Sequence, residues 1–217
     1  MTAAAAIDHL VVAAASLEAG SAWIEERLGV ALSPMGEHTR MGTHNRLLRL
    51  GPRLYLEVIA VNPAAAPPTR PRWFGLDSPD VVSRIRPRPR LIHWVAGTGD
   101  IASASAACPE PLGEILAMNR GDFAWRITVP ADGRLPGEGL VPSLIQWDVL
   151  AHPAAGLPDA GCTLMKLEGF HDEPSRIRVA LTALGLENAL ALFPAAADEC
   201  PSLVAYLRTP GGLREID

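Results

Sequence analysis

Ile7-Asp8-His9-Leu10-Val11-Val12 and Leu91-Ile92-His93-Trp94-Val95-Ala96 are the two stretches that decide the fold. Each is a short apolar run carrying a histidine in its middle, which reads as a buried strand. In each, the histidine stands seven residues before a helix-capping side chain, Ser16 after His9 and Asp100 after His93. The likeness returns at the far ends. Leu56-Glu57-Val58 runs into Asn62-Pro63, and Ile145-Gln146-Trp147 runs into His152-Pro153. A unit that begins with a strand, continues with a helix and ends in strands is therefore written twice.

Within the first unit, Ser16 is the expected N-cap of a helix whose apolar stripe is Leu17, Ile24 and Leu28, with Gly29 at its C-terminal turn. Asn45 to Leu50 and Leu54 to Val61 flank Gly51-Pro52-Arg53 and read as a hairpin. A further strand is expected near Val30 to Leu32. In the second unit, Pro109 and Pro111 shorten the helix after Asp100, and Glu114 to Met118 and Phe123 to Val129 are strand-like. Connectors rich in proline and alanine, starting at Asn62 and at His152, divide the chain into modules of about 5–62 and 90–153 and a last piece of about 161–217. Arg84-Ile85-Arg86-Pro87-Arg88-Pro89-Arg90 is expected to be a solvated connector. The last piece keeps part of the unit: a helix from Pro174 capped by Asp172 and closed by Gly185, then two apolar runs around Pro210-Gly211-Gly212. Met165 stands there where the other units carry histidine. Two copies and a partial third, with strands at both ends, suit a closed, paired sheet in one α+β domain spanning 1–217.

Composition narrows the function. The 217 residues are 48% hydrophobic, enough for a sizeable core. The 24 acidic residues outnumber 19 basic ones and are scattered, giving −5, which argues against a nucleic-acid partner. Cys108, Cys162 and Cys200 show no CxxC spacing and read as reduced thiols. The N-terminus lacks the basic region of a signal peptide, and no run of 18 apolar residues occurs. These features predict a cytoplasmic protein without a membrane partner.

Strand alternation places His9 on a face with Ile7 and Val11, Glu57 with Tyr55 and Ile59, His93 with Leu91 and Val95, and Gln146 with Leu144 and Asp148. If first and last strands are neighbours in each module, a pseudo-two-fold gathers His9, Glu57, His93 and Gln146. For each histidine the competing reading is a hydrogen-bonded core residue. A carboxylate as apolar in its surroundings as Glu57 needs a cation, a basic partner or a proton.

Ile7-Asp8-His9-Leu10-Val11-Val12, the helix ending Arg27-Leu28-Gly29-Val30, Gly42-Thr43-His44-Asn45 and Tyr55-Leu56-Glu57-Val58-Ile59-Ala60 resemble the glyoxalase-like domain family. That family belongs to the vicinal-oxygen-chelate superfamily, with glyoxalase I, bleomycin-resistance proteins and extradiol dioxygenases. The resemblance is closest over 5–62, weaker to about 153 and architectural beyond. It implies tandem βαβββ modules in a curved, cup-like mixed sheet around one pocket. It also implies a divalent metal ion (zinc, nickel, manganese or iron) on His9, Glu57, His93 and Gln146. There the ion would serve as a Lewis acid in lyase or isomerase chemistry on an oxygen-rich metabolite. Two histidines and a carboxylate also match an iron-dependent ring-cleaving dioxygenase, and a metal-free pocket would match a drug- or metabolite-binding protein. Gln146 departs from the carboxylate base of glyoxalase I, since an amide cannot abstract a proton. Asp148, two residues on, is the substitute. Glu57 and His44 are the expected catalytic groups, and Asn45, Trp94 and Asp148 the expected substrate contacts. Arg46, Arg49 and Arg126 read mostly as exposed charges, and His152 is assigned no role. The partner expected is a small molecule, with a homodimer left open.

Overall fold

The structure, a computed structural model, describes residues 5–217. Module one comprises β1 (Ala6–Ala13), α1 (Leu17–Leu28), β2 (Gly36–His38), β3 (Thr43–Gly51) and β4 (Leu54–Val61). A connecting segment contains α2 (Pro79–Ile85). Module two repeats the order with β5 (Arg90–Gly97), α3 (Ile101–Ala107), β6 (Glu114–Arg120), β7 (Phe123–Val129) and β8 (Ser143–Trp147). A short α4 (Pro153–Gly156) leads to β9 (Thr163–His171), α5 (Pro174–Ala183), β10 (Ala191–Pro194), β11 (Ser202–Thr209) and β12 (Gly212–Ile216). The helix signals act as local chemistry requires. Ser16 Oγ accepts from the Ala19 N–H at 3.2 Å, and Gly29 closes α1 at φ 70°. Asp100 caps α3 by accepting from the Ser103 N–H.

Eight strands form one sheet in the order β2-β3-β4-β1-β5-β8-β7-β6, the same sequence read from either end. β1 is parallel to β4, β5 is parallel to β8, and β1 and β5 run antiparallel at the centre. The pseudo-two-fold therefore passes between β1 and β5. The sheet curves until its two edges approach one another. Side chains bridge the gap: Arg40 Nη1 donates to the Ala117 carbonyl at 2.7 Å, and Arg120 Nη1 donates to Asn45 Oδ1 at 3.0 Å.

Alternation divides the sheet into two faces. Leu10, Val12, Leu56, Val58, Trp94, Ala96 and Leu144 form the outer core beneath α1 and the C-terminal unit, whose Ile177, Ala180, Leu203 and Leu207 belong to the same cluster. The inner face carries Val11, Ile59, Val95, Trp125, Ile127 and Ile145. Trp73 and Phe74 of the connecting segment join that inner cluster.

Three expectations need correction. No strand forms at 30–32; the edge strand is β2, which carries His38 inward. The segment around 84–90 is not merely solvated. Val81 and Ile85 of α2 are buried, and Arg88 and Arg90 pair with Asp217, tying the connector to the chain's last residue. The C-terminal unit has the module's five elements but not its pairing. Its separate sheet runs β10-β9-β11-β12, with β10 directly beside β9, whereas β3 and β4 stand between β2 and β1. Among the described residues no helix is long and apolar enough to cross a membrane.

Candidate active site

The inner face closes around a narrow cavity of about 20 Å³, room for about one water molecule. Its acid–base groups come from module one: His9 of β1, His38 of β2, Asn45 of β3, and Tyr55 and Glu57 of β4. Module two contributes Arg120, Trp125, Ile127, Ile145 and Trp147.

His9 is held from three sides. Register pairs it with Tyr55 across the parallel β1–β4 ladder, and the two rings stack at 4.6 Å. Its Nδ1 lies 2.7 Å from Asp8 Oδ1. An ionised carboxylate only accepts, so Nδ1 carries a proton and Nε2 is the nitrogen directed at the cavity. That Nε2 faces Glu57 Oε2 at 3.8 Å.

Asp8 is the anchor behind the imidazole. Besides His9, its carboxylate receives the Trp147 Nε1–H at 2.8 Å and His152 Nε2 at 3.1 Å. The Ala154 N–H donates to His152 Nδ1, which leaves the proton of the neutral ring on Nε2 for Asp8. Burial raises the Asp8 pKa, but the hydrogen bonds from His152 and His9 outweigh it and hold the carboxyl far below its ordinary range. Asp8 therefore stays charged although only 4% exposed.

Glu57 is likewise buried. Asn45 Nδ2 donates to its Oε1 at 2.6 Å, and His38 Nε2 lies 4.0 Å from the same oxygen. His38 Nδ1 meets Thr43 Oγ1 at 3.2 Å, while its Nε2 lies 3.4 Å from Arg120 Nη1. Burial, then the charges of Arg120 and His9, push the His38 pKa down to about 3, so this ring is neutral. Burial and the carboxylates of Asp8 and Glu57 push the Tyr55 hydroxyl well above its usual range.

Of the expected ligand quartet, the structure brings His9 and Glu57 together and places the other two elsewhere. His93 Nδ1 donates to the Gly139 carbonyl at 3.1 Å, and its Nε2 accepts the Ser143 N–H at 3.1 Å. With both nitrogens engaged and no exposed surface, it is a core histidine, its pKa pushed down to about 3 chiefly by burial. Gln146 faces the opposite side of β8 from Ile145 and Trp147, where its Oε1 accepts the Ile101 N–H at the start of α3. The ladders explain this. Val11 pairs with Glu57 and Val95 with Ser143, so the pseudo-two-fold equivalent of Glu57 is Ser143.

The expected substrate and catalytic residues separate in the same way. Asn45 lines the cavity. Trp94 lies in the outer core, its Nε1 donating to the Leu140 carbonyl. Asp148 pairs with Arg126 at 2.9 Å near the surface. His44 occupies the face of β3 opposite Asn45, buried, with Nε2 lacking a hydrogen-bond partner. His38, Arg120, Trp73, Phe74 and His152 were not singled out from the sequence; a histidine between Gly36 and Gly42 was the one local signal.

These donors do not fit the implied divalent ion. His93 and Gln146 are unavailable, and the third imidazole near Glu57, His38, has its Nε2 against a guanidinium that repels a cation. Among the described residues no group of three or more His, Cys, Asp or Glu is arranged to hold a metal.

A palindromic pair of βαβββ modules closed on one cavity is the architecture that the resemblance to the glyoxalase-like domain family implied. The family profile described as a glyoxalase-like domain matches residues 7–185, and the chain belongs to that family. The match extends through β9 and α5, beyond the two modules. No curated protein matches the chain. A hypothetical protein from Staphylococcus aureus has a similar structure at TM-score 0.56 and 13% identity, covering 98% of this chain and 85% of that one. Methylmalonyl-CoA epimerase from Mycobacterium tuberculosis gives 0.41 at 14%, covering 65% of this chain and 86% of its own. A methylmalonyl-CoA epimerase in complex with methylmalonyl-CoA and NH4+ gives 0.43 at 16%, covering 70% and 100%. Likeness at such identities concerns the fold alone.

Proposed function

We propose that the chain is a small-molecule enzyme of the isomerase or lyase type that moves a proton at a carbon beside a carbonyl or carboxyl group. The observation that carries this reading is the pair formed by His9 Nε2 and Glu57 Oε2, 3.8 Å apart across the cavity, with Asp8 behind the imidazole. One member of the pair takes the proton from the substrate carbon, and the bonding electrons move onto the substrate oxygen. The same group, now protonated, returns the proton to the carbon framework, while the other member stabilises its cationic or neutral protonated form. Asp8 stabilises His9 whenever the ring is cationic, and Arg120 with Asn45 supplies positive charge and an N–H for the oxygen as it becomes anionic. Tyr55, Trp73, Phe74, Trp125 and Trp147 keep water out and strengthen these interactions. The imidazole and carboxylate do this work without a metal ion.

The test is deuterium uptake from D2O by a panel of short 2-oxo and 2-hydroxy acids and their esters, followed by NMR. Wild type exchanges the proton beside the carbonyl, and Glu57→Gln and His9→Gln each slow exchange by about a hundredfold or more. Chelation with EDTA leaves the rate unchanged. Exchange that the variants retain overturns the roles assigned. Loss on chelation with recovery on adding zinc, nickel, manganese or iron restores the metal-dependent reading. Tight binding without exchange makes the chain a metabolite-binding protein instead.

A further inference from the structure

A second opening adjoins the inner cavity. It is a groove of about 280 Å³ whose apolar lining is Pro34, Met35, Leu47, Phe123, Pro153 and Leu157. The cavity and the groove share Asn45, Arg120 and Phe123, so Arg120 stands at the neck between them.

The guanidinium at this neck is incompletely used. Its hydrogen bonds to Asn45 Oδ1 and His38 Nε2 both come from Nη1. Among the described residues Nη2 and Nε make no hydrogen bond, and no carboxylate lies within 4.0 Å of the group. The free edge is the one that takes a carboxylate in two parallel hydrogen bonds. The backbone is shaped to keep the group there. A Cβ on Gly36 would lie 2.7 Å from Arg120 Nη1 and 2.8 Å from Asn45 Oδ1, closer than such contacts allow. The inner cavity has room for about one water molecule, whereas the groove offers length and apolar walls.

We infer that the site takes amphipathic carboxylic acids: the carboxyl head sits at the neck on Arg120, beside Glu57 and His9, and the apolar chain lies in the outer groove. Which end reacts rests on the proton-transfer reading above; the binding itself does not. Arg120 selects the anion, the groove selects chain length, and Gly36 keeps the guanidinium over the neck.

The probes are straight-chain acids from acetate to octanoate, with hexanol and hexylamine as controls, titrated against the fluorescence of the whole protein. Trp73, Trp125 and Trp147 line the cavity and report occupancy. Affinity rises about threefold to fourfold for each methylene from butanoate onward. Hexanoate binds at least tenfold more tightly than hexanol, and hexylamine does not bind. Arg120→Met weakens the acids tenfold or more and leaves hexanol unchanged. Gly36→Ala weakens the acids without altering the denaturation midpoint appreciably, because the guanidinium swings aside. Leu157→Ser flattens the dependence on chain length and spares acetate. Equal affinity for hexanol and hexanoate, no dependence on chain length, or an Arg120→Met protein that binds normally overturns the inference. Normal acid binding with no proton exchange overturns the chemistry and leaves the subsite standing.

Discussion

The two modules share a backbone plan and face one cavity, yet their inner faces have different chemistry. Module one turns His9, His38, Asn45 and Glu57 inward with donor and acceptor atoms still directed at the cavity. Module two, at the equivalent places, has His93 and Ser143, and these two satisfy one another: the Ser143 N–H and Oγ meet His93 Nε2 at 3.1 and 3.0 Å. Elsewhere its inner face is mainly apolar, with Val95, Trp125, Ile127, Ile145 and Trp147. The same position in a duplicated fold thus becomes a reactive group or a fastener according to whether its second nitrogen is already taken. Arg120, from the tip of β6, is the exception: module two's charge works against module one's wall.

The strongest way to expose this division is acid. His38 in module one and His93 in module two both titrate near 3 when folded, against 6.5 in the unfolded chain, chiefly because of burial. Folding therefore favours their neutral forms. Their contribution is complete above about pH 6.5 and is lost as pH falls toward 3. Each costs roughly 1.4 kcal/mol per pH unit within that window, about 2.7 for the two together. Asp8, depressed instead as a carboxyl, adds its own loss only below its ordinary pKa of 3.8. Urea denaturation at pH 7, 6 and 5 should show the slope, and His93→Gln and His38→Gln should each remove about half of it. A stability that is flat from pH 7 to 5 would mean that neither ring is neutral for the reason given.

Next in size is a swap of equivalents. Glu57→Gln should slow deuterium exchange about a hundredfold, a barrier increase near 2.7 kcal/mol. Ser143→Ala, at the matching rung of the other ladder, should leave exchange within a few-fold of wild type. Its effect is on stability, about 1 kcal/mol from the lost hydroxyl contact to His93. If both variants lose activity equally, the inner faces are not divided as described.

How much of this was legible follows from the range of each signal. The strand heads around His9 and His93, the cap at Ser16, the stop at Gly29 and the hairpin around Pro52 are local, and the structure has each of them. Alternation also grouped Glu57 with Tyr55 and Ile59, and only the β1–β4 pairing puts that group on the face of His9. What alternation could not supply was register between strands. A place shortly before Asn62-Pro63 and before His152-Pro153 matched Gln146 to Glu57, but the β5–β8 pairing sets Ser143 there and turns Gln146 outward. The offset from Ser143 to Gln146 is three residues, and any odd offset reverses the face. His152 stands in a proline-flanked loop, and Trp73 and Phe74 lie in a proline-rich connector. Their roles depend on distant partners, Asp8 for His152 and the inner cluster for the two aromatics. Arg120 ends a strand at an exposed turn, and only the closing of the sheet brings it to Asn45.

Gln146 supplies the smallest and most discriminating prediction, because the sequence equated it with Glu57. Its Oε1 accepts the Ile101 N–H at 2.9 Å, one of the donors that the first turn of a helix leaves without an internal partner. α3 is only seven residues long, so a cap is a large part of its hydrogen bonding. Asp100 already takes the Ser103 N–H, and Gln146 takes a second. Gln146→Leu should therefore cost about 1 kcal/mol in denaturation, comparable to losing an N-cap. It should leave exchange kinetics and acid binding unchanged, because the side chain lies on the far side of the sheet from the cavity. Changed exchange with unchanged stability would instead mean that β8 presents Gln146 inward, and the equivalence of Glu57 with Ser143 would fall with it.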